Sequence, residues 1–111
     1  MNIRRYDPDQ ARDAHNGTIK AHEVFPAGSE FPVPFESAWG YLDGPSELEP
    51  HAHDDDEVYV ICRGKGRMTV GEERAEVGPG DVIEIPGGLS HSIANAGGGD
   101  LLWFALWWGK K

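Results

Sequence analysis

Proline and glycine cut this chain into pieces too short for long helices. Fifteen Gly and eight Pro are scattered without a repeat period through 111 residues. Between them apolar and polar residues alternate wherever a pattern can be read, which is the period-2 signature of strands. The alternation predicts strands over 18–25, 36–42, 51–62, 67–70, 74–77, 81–85, 91–95 and 101–108. Turn chemistry separates them at Pro26-Ala27-Gly28-Ser29, Asp43-Gly44-Pro45, Arg63-Gly64-Lys65-Gly66, Gly71-Glu72, Gly78-Pro79-Gly80, Pro86-Gly87-Gly88 and Gly97-Gly98-Gly99. About eight short strands at roughly 8–12-residue spacing describe an all-β sandwich or barrel. Gln10 to His15 reads equally as one helical turn or as an extended arm.

Size and charge narrow the function. A chain of this length makes one domain that buries roughly two-thirds of its unfolded surface, and 39% apolar residues supply a core for it. Nineteen acidic against ten basic residues leave a net charge of −9, and no Lys/Arg cluster marks a phosphate-binding face, so nucleic acid and anionic membranes are excluded as partners. The longest apolar run, Leu101 to Trp108, falls far short of the roughly 20 residues of a membrane-spanning helix. The polar start Met1-Asn2-Ile3-Arg4-Arg5 lacks the apolar stretch of a signal peptide, and a cytoplasmic location is expected. The single cysteine, Cys62, forms no intrachain disulfide, which leaves the core and a metal to hold the fold.

One cluster of residue types carries chemistry. If 51–62 is one strand, His51 and His53 point to the same face and Glu57 keeps their parity. His91, beyond a Pro-Gly-Gly turn, lies on a separate strand that could close the ring of ligands. Three nitrogens and one carboxylate oxygen suit a first-row divalent ion: iron, manganese, nickel, cobalt or zinc. The competing reading makes these residues solvated neighbours of the acidic run Asp54-Asp55-Asp56.

The spacing decides between them. Gly80, five residues, Pro86, one, Gly88, two, His91, three, Asn95 resembles the second sequence motif of the cupin superfamily in full. His51-x-His53, Glu57 and Gly64 fit the first, with six residues instead of five between Gly44 and His51. The resemblance covers Gly44 to Asn95. It implies an all-β double-stranded β-helix, a jelly-roll barrel of the small single-domain type, with the metal held inside by His51, His53, Glu57 and His91. In that frame residues 1–35 are an N-terminal arm and edge strand packing on a barrel formed by 36–111. Gly64, Gly80 and Gly88 fall where a positive φ or a close backbone approach is needed, and Asn95 reads as a strand-end turn cap.

Parity along the strands extends the picture. Tyr59 and Ile61 share the inner face with Glu57, whereas Val58, Val60 and Cys62 form an outer stripe, with Cys62 an inert thiol. Leu101 to Trp108 is apolar on both faces, so one face fills the barrel and the other meets the N-terminal arm or a second copy; a homodimer is expected. Trp39, Tyr41, Tyr59 and Trp103 or Phe104 are the expected pocket walls, with Tyr41 and Tyr59 the candidate proton-transfer residues. His15 and His22 read as surface residues. Arg67 is the best candidate for a basic residue in the pocket. The expected function is metal-dependent catalysis on a small organic molecule, led by oxygenase chemistry. Its rivals are a redox-neutral lyase, isomerase or cyclase and a non-catalytic module that binds a small ligand.

Overall fold

The computed structural model describes residues 1–25 and 29–109, so Pro26, Ala27 and Gly28 of the first expected loop lie outside the described residues. Among the described residues a 3-10 turn, Pro8–Gln10, is followed by ten strands: β1 (Arg12–Ala14), β2 (Ile19–Glu23), β3 (Glu36–Leu42), β4 (Glu47–His51), β5 (Asp56–Arg63), β6 (Gly66–Val70), β7 (Glu73–Val77), β8 (Val82–Ile85), β9 (His91–Asn95) and β10 (Leu101–Trp108). They form two antiparallel sheets, one in the order β1-β2-β3-β10-β5-β8 and one in the order β4-β9-β6-β7. The two inner faces enclose the core, a jelly-roll arrangement. Among the described residues no helix is long and apolar enough to cross a membrane.

Most expected strands are present, but the run 51–62 is two strands with a corner between them. β4 ends at His51, residues 52–55 cross over, and β5 starts at Asp56 in the opposite sheet. Pro50 sits inside β4, at the sheet's edge, where its missing N–H costs no ladder bond. The ambiguous stretch 10–15 contains the short edge strand β1, which pairs with β2.

The inner faces fill as parity requires. Glu57, Tyr59 and Ile61 of β5 are buried, while Val58 and Val60 are half-buried and Cys62 exposed. Leu48, Met68 and Ile93 from the four-stranded sheet meet Leu42, Ile61, Leu101 and Trp103 from the other, all at or below 3% exposure. Trp103 lies opposite Gly40 in the β3–β10 pairing, and a Cβ at Gly40 would sit 2.2 Å from the indole. Glycine there makes room for the largest fully buried side chain of the core. Gly64, Gly80 and Gly88 all have positive φ, and at Gly64 a Cβ would also collide with the Asp100 carbonyl at 2.0 Å.

The outer face of the six-stranded sheet is covered in part by the N-terminal arm. Tyr6 stacks on Tyr41 at 5.0 Å and meets Trp39 edge-on, and Trp39 in turn packs on Phe104 at 5.1 Å. Asp7 N–H donates to His22 Nδ1, so His22 fastens the arm. At the end of this face Tyr41 Oη donates to Asp100, which also takes two bonds from Arg63. Trp39, Tyr41 and Phe104 therefore point outward, because positions 39 and 41 share the parity opposite to the inward Ala38, Gly40 and Leu42. Asn95 caps its turn as expected, donating to the Gly44 and Gly99 carbonyls and accepting from Gly97 N–H.

Filling the glycine notch should damage this packing. Gly40→Ala is expected to lower unfolding free energy by about 2–3 kcal/mol, the scale of an overpacked core. Gly78→Ala, whose added Cβ meets nothing within 4 Å, should stay within about 0.5 kcal/mol of the parent. Urea denaturation of both variants checks the contrast, and equal stabilities would contradict it.

Candidate metal centre

Four side chains reach one point from different directions. His51 comes from the end of β4, His53 from the crossover, Glu57 from the start of β5 and His91 from the start of β9. His51 and His91 are register partners across β4 and β9, with ring centroids 4.2 Å apart. The second turn is fastened to the first: Gly88 N–H donates to the His53 carbonyl and Gly87 N–H to the Asp56 carboxylate, both at 2.8 Å. Pro86-Gly87-Gly88 thus fixes where β9 begins relative to the loop that carries His53.

A backbone carbonyl engages Nδ1 of each histidine. His51 Nδ1 donates to the Glu49 carbonyl at 2.9 Å, His53 Nδ1 to Asp55 at 3.1 Å and His91 Nδ1 to Leu89 at 3.2 Å. A carbonyl only accepts, so each Nδ1 carries the hydrogen, and in the neutral ring each Nε2 keeps a lone pair. One ring nitrogen from each histidine lies within 4.8 Å of those of the other two. Glu57 Oε1 stands 2.9 Å from His53 Nε2 and 3.3 Å from His91 Nε2.

That set of atoms asks for a cation. Glu57 is 7% exposed and His91 1%, and His91 Nε2 has no hydrogen-bond partner. A buried carboxylate facing imidazole lone pairs is repelled unless positive charge sits between them, and a buried unpaired nitrogen costs about 1–3 kcal/mol. His51, His53 and His91 are therefore positioned to hold a metal ion, and the donor set fits a first-row divalent one. Burial holds His51 below its ordinary value, with the nearby His91 acting in the same direction and the Glu49 carbonyl bond opposing both. At neutral pH it offers a free lone pair.

Above the cluster lies a cavity of about 350 Å³. Tyr59, Trp103, Ala105 and Trp107 form its aromatic and apolar wall, continued along the same sheet by Ile19, Ala21, Ala38 and Gly40. Tyr59 stacks on Trp103 at 5.5 Å. Burial, reinforced by the Glu57 charge and opposed by a Trp103 side-chain hydrogen bond, lifts its phenol well above 10. Glu23, Asp55 and Glu57 are the acids on the lining, and no Lys or Arg is among the described lining residues.

Several expected placements change. Tyr41 and Phe104 do not reach the cavity, since both lie on the outer face, and Tyr41 spends its hydroxyl on Asp100. Trp39 borders the cavity, but its ring packs outward on Tyr6 and Phe104. Arg67 points away from the barrel, 55% exposed, and pairs with Glu76. His15 is exposed, as expected, yet it also lines the cavity and lies over His51 with centroids 4.1 Å apart. The alternation Ile19-Ala21-Glu23 in β2 signals that strand's contribution to the wall; nothing in the sequence signals His15.

A family model of the cupin domain matches residues 39–108. The chain is a cupin. It is 34% identical over 71 residues to an uncharacterized protein of Sinorhizobium fredii and 42% identical over 45 residues to one of Streptomyces coelicolor. These matches cover 64% and 40% of this cupin, but only 33% and 41% of the relatives' own lengths. Among solved structures, a cupin 2 conserved barrel domain protein of Salinispora arenicola superposes with a TM-score of 0.83 at 25% identity, covering 97% of this chain and 88% of that one. The plu4264 protein of Photorhabdus luminescens gives 0.82 at 26%, covering 99% and 90%. A predicted oxalate decarboxylase of Thermotoga maritima gives 0.82 at 22%, covering 98% and 100%, a likeness of fold.

Metal binding by this cupin should be visible as stability. A divalent ion held at 100 times its Kd should raise unfolding free energy by about 2.7 kcal/mol by mass action, a Tm increase of roughly 10 °C or more for a domain of this size. His91→Ala should lose both the stoichiometric ion and the shift. Metal analysis and thermal melts of protein purified without a His-tag check this, and an unchanged ion content in the variant would refute it.

Proposed function

We propose that this cupin is a metal-dependent enzyme acting on a small, neutral, mainly apolar or aromatic molecule that bears an oxygen able to coordinate the ion, with oxygenase chemistry as the leading reaction. The observation that carries the reading is the convergence of three lone-pair nitrogens and the Glu57 carboxylate at the floor of an open cavity with apolar walls. Glu57 is the fourth ligand. An ion held there would supply Lewis-acid polarisation of a substrate oxygen and, as iron, redox chemistry with O2.

The chain's own residues set what enters and how it lies. Trp103, Trp107 and Tyr59 offer flat apolar surface to a ring or alkyl group and exclude water from it. Three acids and no cationic side chain on the described lining disfavour a dicarboxylate, and the net charge of −9 works against long-range capture of anions. This separates the cavity's preference from the oxalate named for the Thermotoga maritima protein. Tyr59 keeps its proton at neutral pH, so it acts as a hydrogen-bond donor or general acid, not as a base. That property also favours the second reading, a redox-neutral lyase, isomerase or cyclase in which Tyr59 returns a proton to the substrate.

The uncovered outer stripe of Val58 and Val60, with Val82 61% exposed beside it, supports a homodimer through the β5–β8 side of the sheet. The exposed Glu84, register partner of Val58, borders that stripe.

Anaerobic loading with Fe(II), followed by O2 electrode measurements against panels of phenols, diketones and carboxylates, tests the proposal. Uptake should be stimulated by neutral phenols or diketones and not by dicarboxylates, and Tyr59→Phe should lower kcat about 100-fold if it delivers a proton. Bound iron with no stimulated uptake, together with no turnover in the Mn, Ni or Zn forms, would contradict the enzyme reading.

A further inference from the structure

His51 is half-buried, and one hydrogen bond engages its ring. Nδ1–H to the Glu49 carbonyl fixes a single point, about which a half-exposed imidazole can still pivot. The hairpin tip His15-Asn16-Gly17 between β1 and β2 closes over that ring. All three tip residues have positive φ, 49°, 59° and 77°. The His15 and His51 rings lie 4.1 Å apart with 36° between their planes.

The tip is fastened to β4 at the residue that orients His51. Asn16 Nδ2 donates to Glu49 Oε1 at 2.7 Å, and Glu49 N–H donates to Thr18 Oγ1 at 3.3 Å. Thr18 Oγ1 in turn donates to the His15 carbonyl at 2.8 Å. Glu49 thus holds His51 through its carbonyl and the hairpin through its amide and carboxylate. A strand pair outside both sequence motifs is tied into the centre at one residue.

We propose that His15 is a positioning residue for the metal centre: its ring, tilted against His51 in close contact, holds the His51 imidazole plane so that Nε2 stays aimed at the point shared with His53 and His91. The proposal rests on the metal-centre reading above. It is a property of the aromatic ring packed against His51, so phenylalanine at 15 preserves it and removal of the ring abolishes it. Glycine is the appropriate truncation, because it accepts the left-handed backbone at this position.

Co(II) affinity measured by chelator competition, with the Co(II) visible absorption as the readout of coordination, tests it on the full chain. Mutation of groups that orient a ligand weakens metal binding by about 10–100-fold, so His15→Gly should bind Co(II) at least about 10-fold more weakly with a shifted absorption band, and His15→Phe should remain within about threefold of the parent. Asn16→Gly, which frees the tip without touching His15, should weaken binding in the same direction and guards against a folding defect in the first variant. Far-UV circular dichroism of the metal-free variants should match the parent. Equal affinity in His15→Gly and the parent overturns the proposal alone, as does a His15→Phe variant as weak as His15→Gly. A parent chain that takes up no ion overturns the metal-centre reading together with this one.

Discussion

Three backbone carbonyls decide the chemistry of this barrel. By accepting from Nδ1 of His51, His53 and His91, they leave three Nε2 lone pairs aimed at a buried carboxylate. Such an arrangement is stable only with positive charge at its centre. Each carbonyl lies two residues from its histidine in sequence, so the orientation is local. No acidic side chain is spent on it: Asp55 contributes its carbonyl, and the Asp56 carboxylate holds the Gly87 amide instead.

The rest of the fold brings these local units together. The jelly-roll places the ends of β4, the start of β5 and the start of β9 at one mouth of the sandwich, and the Pro86-Gly87-Gly88 turn is bonded directly to the 53–56 corner. At the far end Leu42, Leu48, Ile61, Met68, Ile93 and Leu101 pack without polar groups. Gly40 lets Trp103 cross between core and cavity. The cavity exists because small residues, Ala38, Gly40, Ala21 and Ala105, stand where larger ones would fill a barrel of this size.

Much of this was legible in the residues, though partly for a reason the structure replaces. Turn chemistry and alternation marked most strand boundaries, and the parity of Glu57, Tyr59 and Ile61 placed them inward. The same parity logic put His51, His53 and Glu57 on one strand. They converge instead across a corner between two sheets, which a two-residue period does not encode. Trp39 and Tyr41 share one strand face, and from the sequence that aromatic face reads as a pocket wall. Their partners, Tyr6 and Phe104, belong to distant segments, and only the β3–β10 register with Gly40 under Trp103 tells the faces apart. His15 was invisible for the same reason: its place depends on how β1 and β2 extend the sheet and on the fastening of their tip to Glu49.

X-ray absorption spectroscopy of the Co(II)- or Fe(II)-loaded chain tests the central claim most directly, because it counts the donors around the ion. Three imidazoles and one carboxylate, with only oxygen or nitrogen donors in the remaining positions, are the predicted first shell, and Glu57→Gln should perturb it while leaving all three imidazoles. A shell with fewer than three imidazoles, or with sulfur from Cys62, would contradict the account.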